Sequence, residues 1–299
     1  MQKTITDSDA GKRLDVYLQE VLTQTRSHIQ HMIEKKQVFV NGKVVKCGFK
    51  LKTGDFVDYE ILPAKQIDTE ADQSVEFDIV FEDDDLVVVN KPQGLVVHPC
   101  QSTTSKTLVN GLLAKITNLS GINGEIRPGI VHRLDKNTSG VMLVAKNDRA
   151  HVDLANQIQN KTCKRKYYAL LEGVISKDEF EIDTYLSRDK KDRKKISVCP
   201  AGEGRRAISV CRVVQRYSKH TLCEFELKTG RTHQIRVHAK HISHPVVGDD
   251  VYNAKSYPKL KGQLLHSYFI SFCHPTTKSQ MQFSVPLPQH FQNFISLLK

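Results

Sequence analysis

The segment GIVHRLDKNTSGVMLVAK, residues 129–146, gathers reactive side chains between two apolar runs. Within a few positions it holds an aspartate, a histidine, an arginine, a lysine and two hydroxyls: Asp135, His132, Arg133, Lys136, Thr138 and Ser139. A carboxylate in such a place can act as a nucleophile or as a general base. The simpler alternative is a turn that Asp135 caps, with Thr138 and Ser139 as its partners. An isolated aspartate favours that alternative, so other segments have to decide between the two.

A second segment, LKTGRTHQIRVHAKHISHP at residues 227–245, is basic and contains no acid; the first acid after it is Asp249. If RTHQIRVH forms a strand, Arg236 lies on the face opposite to Ile235 and Val237. A buried arginine needs a carboxylate partner, and Asp135 is a reasonable one.

The same segment has four histidines, His233, His238, His241 and His244, which raises the alternative of a metal site. Their spacing differs from the H-E-x-x-H pattern of a zinc-binding helix, and no cysteine or acid nearby completes a ligand set. The sequence therefore disfavours a metal.

A third segment, KTCKRKYYALLEG at residues 161–173, places basic residues before Tyr167 and Tyr168. Aromatic rings beside cations suit base stacking and phosphate neutralisation in RNA. The alternative is a strand with one core tyrosine and a charged approach.

The composition points to a polyanionic partner. The 299-residue chain carries 44 Lys and Arg against 33 Asp and Glu, a net charge of +11, and it is 39% hydrophobic. Nucleic acid is the first candidate for such a partner, with a basic solvated surface as the alternative. The seven cysteines are odd in number and none are spaced C-x-x-C, which indicates reduced thiols. No segment has the length of a membrane helix and no apolar signal core opens the chain, so we expect a soluble, cytoplasmic protein.

The elements that must position these segments divide into two domains. The sequence pattern of residues 11–62 predicts two short helices followed by a hairpin at Asn41-Gly42. The second helix begins with a Ser27–Gln30 capping box. Residues 63–74 resemble a polar linker, which overlaps a stretch from 66 to 90 that holds nine acids and no Lys or Arg. Residues 75–299 predict an α+β domain with a mixed, mostly antiparallel sheet.

Together these segments resemble an RluA-type pseudouridine synthase with an N-terminal S4-like RNA-binding domain. The resemblance rests on NKPQGLVVHP (90–99), GIVHRLDKNTSGVMLVAK (129–146), KRKYYALLEG (164–173), LKTGRTHQIRVHAKHISHPVVGDDVY (227–252) and LLHSYFISFCHP (264–275). The N-terminal RLDVYL, SHIQHMIEKKQVFVNGKVV and KLKTGDFV resemble S4. The RPGIVHRLDKNTSG turn is most similar to the RluD branch, which acts on large-subunit ribosomal RNA.

The resemblance implies conversion of uridine in RNA to pseudouridine, with no metal or other cofactor. It implies that Asp135 is the catalytic aspartate, that Arg236 pairs with it, and that Tyr167 packs on the target base. The other implied substrate contacts are Leu265 against the uracil, Arg133 in the space that the base vacates, Arg231, and the S4 phosphate contacts Arg26, Lys35 and Lys36. Ribosomal RNA is favoured over transfer RNA as the partner, no membrane is involved, and a monomer is expected.

Two other classes of function stay open from the sequence. One is a non-catalytic S4-type RNA-binding factor in ribosome assembly, which would not need a buried acid. The other is a metal-dependent hydrolase using the histidine-rich segment, which a chelator would inactivate. The basic segment SRDKKDRKKISVCPAGEGRRA (187–207) fits the family least closely; it suits either added RNA affinity or a solvated loop.

Overall fold

The computed structural model describes residues 2–22, 29, 32–34, 36–59, 70–100, 103–121, 127–192, 195–253 and 255–299. The chain forms two compact units, residues 1–66 and residues 67–299. No helix in the described ranges is long and apolar enough to cross a membrane.

Unit 1 is a small antiparallel sheet with one face covered. Its described elements are β1 (Gln2–Thr4), α1 (Leu14–Leu22), β2 (Val38–Val40), β3 (Lys43–Val44) and β4 (Phe56–Tyr59), with strand order β1-β4-β2-β3. Asn41 and Gly42 join β2 to β3 with φ angles of 50° and 72°. Both values are positive, as a type I′ turn requires, so the predicted hairpin is confirmed. Leu14 and Leu18 of α1 are fully buried in the core of this unit.

The second predicted helix of unit 1 falls largely on residues that are not described. Ser27 and Gln30 of its capping box lie outside the described residues, and so do Arg26 and Lys35. The apolar face predicted for that segment is described in part: Ile29, Met32 and Ile33 are all buried in the core of the unit. Lys36 is exposed and has a left-handed backbone, with φ at 57°.

Unit 2 is built on a ten-stranded sheet. Its strands are β5 (Asp78–Glu82), β6 (Leu86–Lys91), β7 (Ser139–Ala145), β8 (Lys164–Glu172), β9 (Glu179–Arg188), β10 (Ile196–Cys199), β11 (Arg205–Arg216), β12 (His220–Leu227), β13 (Leu265–Cys273) and β14 (Gln280–Ser284). The order is β10-β9-β11-β12-β8-β13-β7-β6-β5, and β14 also pairs with β13. Among the described strands only β7 and β13 pair in parallel, so the predicted mixed, mostly antiparallel α+β fold is confirmed.

In the described part of unit 2, four helices accompany this sheet: α2 (Leu108–Lys115), α3 (Asp148–Gln159), α4 (Gln234–His241) and α5 (Gln289–Ser296). Strand β6 shows how they are placed. Val87 and Val89 face a core that includes residues of α2, whereas Leu86 and Val88 face a core that includes residues of α3. A strand that is apolar on both faces, such as LVVV, is stable only when both are covered.

The strand interpretation of RTHQIRVH was wrong, because residues 234–241 form helix α4. Ile235, Ala239 and Ile242 follow a helical spacing of four and three residues and pack in the main core. Eight residues with alternating polarity fit both a strand and a short helix, and burial in the tertiary structure decides between them. The helix begins after His233, whose φ of 56° turns the chain sharply out of the preceding loop.

The start of unit 2 is held to helix α2. Asn110 Nδ2 donates to Glu70 O at 2.8 Å, and Asp72 N donates to Asn110 O at 3.0 Å. These two bonds fix residues 70–72, which belong to the predicted linker, to unit 2. Residues 60–69 are not described, so the predicted bounds 11–62, 63–74 and 75–299 stay a prediction.

Candidate active site

One pocket in unit 2 collects residues from four of the segments that the sequence singled out: 129–146, 161–173, 227–245 and 264–275. It has a volume of about 220 Å³, and its lining includes Asp135, Arg165, Tyr167, Arg236 and Leu265. The turn before β7, the middle of β8, helix α4 and the start of β13 each supply part of it. These four elements are distant in sequence but converge because β7, β13 and β8 are neighbours in the sheet.

Asp135 lies in the turn that precedes β7, and its carboxylate faces helix α4. Its Oδ2 accepts a hydrogen bond from Arg236 Nη1 at 3.1 Å. Thr138 and Ser139 do not cap the turn through their side chains, because their hydroxyls bond instead to Gln263 and His266. The structure therefore brings Asp135 and Arg236 together, as the charge-compensation argument predicts.

Arg236 also binds a second acid that the sequence analysis did not assign. Its Nε and Nη2 donate to the two oxygens of Asp249 at 2.7 and 2.8 Å. The Asp249 carboxylate is fully buried and also accepts from the backbone N–H groups of Val251 and Tyr252 at 3.0 and 3.1 Å. Burial alone would lower the pKa of Arg236, but the two carboxylates raise it above its ordinary value. Asp249 thus fixes the guanidinium that orients Asp135.

Lys91, which was not among the residues predicted from the sequence, fixes the turn itself. Its ammonium is fully buried and donates to the carbonyl oxygens of Pro92, Leu95 and Lys136 at 2.9, 2.9 and 3.0 Å. Burial lowers the pKa of Lys91 to about 7, and the charge of Asp135 acts in the opposite direction. The bond to Lys136 O ties the residue after Asp135 to the end of β6. A charged residue at the end of an otherwise apolar strand was the available sequence signal.

His233 stands beside Asp135, with its Nε2 3.9 Å from Asp135 Oδ1. Its other ring nitrogen, Nδ1, bonds to the hydroxyl of Tyr252 at 2.9 Å. Burial lowers the pKa of His233 even though Asp135 favours its charged form. The Tyr252 ring in turn lies 5.1 Å below the Arg236 guanidinium. These contacts hold the imidazole and the guanidinium on one side of the carboxylate.

Two apolar surfaces complete the pocket. Tyr167 is buried on β8, and Leu265 is buried where β13 begins. Tyr168 points to the other face of β8 and stacks on Tyr268 with ring centres 4.0 Å apart, so Tyr167 is the pocket residue of the pair. Burial raises the pKa of Tyr167, which keeps its phenol neutral.

The remaining predicted contacts in unit 2 lie at the mouth of the pocket. Arg133 and Arg231 are exposed, and both also line an adjacent groove of about 700 Å³. Arg188 and Arg205 line the same groove. Arg231 Nε donates to Arg206 O at 3.1 Å, which holds its side chain over the groove. The groove is therefore a basic surface that continues from the pocket.

The histidines of residues 227–245 do not converge. His238 bonds to Ser209 and Thr184, and His244 bonds to Glu172 O. Among the described residues no three His, Cys, Asp or Glu side chains form a group that could hold a metal ion.

With this geometry established, comparisons with known proteins identify the family. The model of the RNA pseudouridylate synthase family matches residues 85–241, and the S4 domain model matches residues 12–57. The first match covers more than half of the chain. The chain belongs to the RNA pseudouridylate synthase family. Its predicted resemblance to an RluA-type synthase with an N-terminal S4 domain is confirmed.

Relatives of this pseudouridine synthase extend over nearly its whole length. An uncharacterised RNA pseudouridine synthase, YlyB, of Bacillus subtilis is 43% identical over 99% of this chain and 97% of its own. An uncharacterised RNA pseudouridine synthase of Synechocystis is 40% identical over 99% of this chain and 91% of its own. The ribosomal large subunit pseudouridine synthase D of Neisseria meningitidis is 39% identical over 97% of this chain and 79% of its own.

Solved structures of the synthase family share the fold. Human RNA pseudouridylate synthase domain containing 1 aligns with a TM-score of 0.59 at 23% identity, over 73% of this chain and 86% of that one. Human RNA pseudouridylate synthase domain containing 4 aligns with a TM-score of 0.57 at 21% identity, over 74% and 93%. The matched family segment contains Asp135, Tyr167 and Arg236, whereas Asp249 and Leu265 follow its end.

Proposed function

We propose that the protein converts uridines of large-subunit ribosomal RNA to pseudouridine, with Asp135 as the reacting carboxylate and without a cofactor. The observation that carries this proposal is the Asp135–Arg236 ion pair inside a pocket walled by Tyr167 and Leu265. The substrate class is supported by relatives named ribosomal large subunit pseudouridine synthase D and by the S4 match. The expectations of a monomer and of a cytoplasmic location stay predictions.

The reaction exchanges one glycosidic bond for another. The C1′–N1 bond of uridine breaks, the base rotates, a C1′–C5 bond forms, and the proton lost from C5 is replaced by one at N1. Substrate and product are isomers, so the proposed reaction consumes no oxidant, water or nucleotide. The enzyme has to hold the ribose and the detached base in one closed place throughout.

An ionised Asp135 can serve this reaction in two ways. It can attack C1′ as a nucleophile, or it can remove a proton from the ribose as a base. Either route needs a carboxylate whose orientation is fixed. Arg236 provides that direction, because Asp249 holds its guanidinium from the opposite side with two hydrogen bonds.

The pocket volume of about 220 Å³ suits one extruded base and not a stacked helix. The target uridine therefore has to leave its stack before it reacts. In the proposed complex the base lies between Tyr167 and Leu265, the two apolar walls. Arg133, which is exposed at the mouth, is the residue proposed to fill the space that the base vacates.

The basic groove beside the pocket is suited to the RNA backbone. Phosphate contacts from arginines position an RNA chain without reading its sequence. Arg231 lines both the pocket and the groove, so it is the proposed contact to a phosphate that flanks the target. The S4 unit supplies further phosphate contacts, for which Lys36 is an exposed candidate.

The direct test uses the purified full-length protein and two RNA transcripts labelled with tritium at C5 of uridine. One is a large-subunit ribosomal RNA transcript and the other is a pool of transfer RNA transcripts. Formation of the C1′–C5 bond releases the tritium to water. We expect release from the ribosomal transcript with a chelator present. Release from transfer RNA alone would show that transfer RNA, and not ribosomal RNA, is the substrate. Release from neither transcript would contradict the proposed activity.

Substitutions of Tyr167 separate its ring from its hydroxyl. We expect Tyr167→Ala to bind the ribosomal transcript more weakly than Tyr167→Phe, because stacking on a base contributes roughly 1–3 kcal/mol. Fluorescence anisotropy with each variant measures the difference. Tyr168→Phe is the matched control, since Tyr168 stacks on Tyr268 on the other face of the strand. Equal affinity of Tyr167→Ala and Tyr167→Phe would contradict a stacking role for Tyr167.

Removal of residues 1–66 separates RNA affinity from chemistry. Unit 2 has its own core, so we expect residues 67–299 to fold. The truncated protein should bind ribosomal RNA more weakly and with a shallower salt dependence, because each lost phosphate contact removes about 0.7–0.9 from the log–log slope. It should still release tritium from short uridine-containing RNA at high concentration. A folded but fully inactive product would show that unit 1 contributes to catalysis itself.

A further inference from the structure

Arg165 is a buried cation without a described partner. Only 6% of the residue is exposed, and it lies on β8 two positions before Tyr167. Its Nε is buried, and no described residue accepts a hydrogen bond from any nitrogen of its side chain. Buried arginines in proteins are ordinarily paired with a carboxylate or bind an anion. Arg165 therefore differs from Arg236, which binds two acids in the same pocket.

The Arg165 guanidinium lies at the wall of the pocket. Arg165 and Tyr167 project to the same face of β8, because alternate residues of a strand share a face. A Cβ atom added to Gly230 would come within 2.9 Å of Arg165 Nη1, so the guanidinium rests directly against the backbone of that glycine. Gly230 lines the pocket together with Arg165. The unpaired cation and the proposed base-binding surface are thus parts of one site.

The charge of Arg165 acts on a neighbouring basic group of the pocket. His132 lines the pocket as well, and its Nε2 accepts from Leu143 N at 3.0 Å. Burial, together with the charge of Arg165, lowers the pKa of His132 to about 3, so its imidazole is neutral. Arg165 therefore supplies the positive charge at this wall.

We propose that Arg165 is a catalytic residue that hydrogen bonds to a carbonyl oxygen of the target uracil and neutralises the anion formed when the C1′–N1 bond breaks. This inference rests on the proposed function. When that bond breaks, its electron pair leaves with the base, and the negative charge spreads over N1, O2 and O4. In this step Arg165 donates a hydrogen bond but transfers no proton. Its charge stabilises the detached base until C5 bonds to C1′ and the base becomes neutral.

The symmetry of uracil explains how one fixed cation can serve both halves of the reaction. Rotation of the base by a half-turn about its N3–C6 axis exchanges N1 with C5 and O2 with O4. A guanidinium that binds one carbonyl oxygen before the rotation therefore meets the other carbonyl oxygen afterwards. The same cation holds the base in the orientation for bond breaking and in the orientation for bond formation.

A base fits this position better than a phosphate does. The phosphates of an RNA chain belong to a continuous backbone that runs outside the pocket, where the exposed Arg133 and Arg231 lie. Arg165, in contrast, is buried in the pocket wall, where the extruded base enters in the proposed complex. If Arg165 bound a phosphate, replacing Arg165 would weaken RNA binding. Affinity measurements therefore distinguish a base ligand from a phosphate ligand.

Three variants test the proposal on the full-length protein. Arg165→Met removes the charge, and Arg165→Lys keeps the charge but loses the planar fork. Gly230→Ala leaves Arg165 in place and displaces the tip of its flexible side chain. Lys166→Met is the matched control, because Lys166 points to the opposite face of β8 and pairs with Glu224 at 3.2 Å. Each variant is assayed for the single-turnover rate on the ribosomal transcript, the dissociation constant for that RNA, and the melting temperature.

We expect Arg165→Met to lower the single-turnover rate by about 100- to 1000-fold, the usual effect of removing one preorganised donor from a developing anion. Its RNA affinity should stay within about twofold, and its melting temperature should not fall, because an unpaired buried charge is lost. Arg165→Lys and Gly230→Ala should show smaller rate losses, and Lys166→Met a wild-type rate.

Three outcomes would overturn the inference. The first is a wild-type rate for Arg165→Met, or for both Arg165→Lys and Gly230→Ala if the methionine variant does not fold. The second is a rate loss that comes with a matching loss of RNA affinity, which assigns Arg165 to phosphate binding. The third is a rate loss explained by a lower melting temperature, which assigns it to the fold. An inactive wild-type protein would refute the proposed function itself and is recognised in the same experiment.

Discussion

Replacement of Asp135 by asparagine is expected to abolish pseudouridine formation while the protein stays folded. The amide is nearly isosteric with the carboxylate, but it is neither a nucleophile nor a base, so we expect a rate loss on the order of 10³-fold or more. Arg236 keeps its two hydrogen bonds to Asp249 in this variant. The free energy of unfolding should therefore change by no more than about 1 kcal/mol. Tritium release and thermal melting measure the two quantities.

Asp178→Asn is a suitable control for Asp135→Asn. Asp178 is an exposed acid whose carboxylate pairs with Arg216, away from the pocket. It should retain the wild-type rate. RNA affinity should be unchanged in both variants, since neither carboxylate is a phosphate contact. Full turnover by pure Asp135→Asn protein would remove the aspartate from the mechanism.

Replacement of Arg236 by alanine is expected to cost both activity and stability. It leaves the fully buried Asp249 and the partly buried Asp135 without their shared cation. Loss of one partner from a buried ion pair typically destabilises a protein by about 3–5 kcal/mol. Catalysis should be lost as well, because Asp135 then has no fixed direction. Chemical denaturation and tritium release measure the two effects on one preparation.

Two further variants show whether the effect belongs to the buried network. Arg231→Ala removes an exposed arginine from the same segment and should change the free energy of unfolding by less than about 0.5 kcal/mol. Arg236→Lys retains the charge but cannot reproduce the two-pronged contact to Asp249, so an intermediate stability is expected. An Arg236→Ala protein with normal melting and a normal rate would show that the ion pair is unimportant.

The sequence was sufficient to predict the pairing of Asp135 with Arg236, and charge compensation is the reason. An arginine among apolar residues ordinarily pairs with an acid, and the acid in the HRLD turn was flanked by apolar strands. The strands of unit 2 were predictable on similar grounds. Runs such as LVVVN and VMLVA contain too many β-branched and apolar residues for an exposed loop.

Helix α4 was not predictable from its own residues. Apolar and polar residues alternate at the end of RTHQIRVH, as they would in a strand. The core contacts of Ile235 and Ala239 that favour a helix come from distant parts of the chain. The same limitation hid Asp249. It lies 13 residues after Arg236 and follows Gly248, whose backbone lies close to Gly262 and has a φ of 76°. The bidentate contact between Arg236 and Asp249 depends on the course of the backbone between them, which their spacing in the sequence does not reveal.

Lys91 and Arg165 illustrate a different limit. A basic residue in a strand is ordinarily read as a solvated side chain. The apolar run before Lys91 is a weak sign that this cation is buried, and nothing local to KRKYY gives such a sign for Arg165. Lys91 is satisfied by three backbone carbonyl oxygens, which carry no sequence signature. Arg165 has no acceptor among the described residues. The environment of each cation is a property of the tertiary structure.

The most direct test of the central claim is pseudouridine mapping of total RNA from three strains of the host. One strain lacks the gene, one carries the wild-type gene, and one carries the Asp135→Asn gene. The account predicts that one or more pseudouridines in large-subunit ribosomal RNA disappear in the deletion strain, return with the wild-type gene and stay absent with Asp135→Asn. An identical pseudouridine map in all three strains, or recovery of the sites with Asp135→Asn, would contradict it.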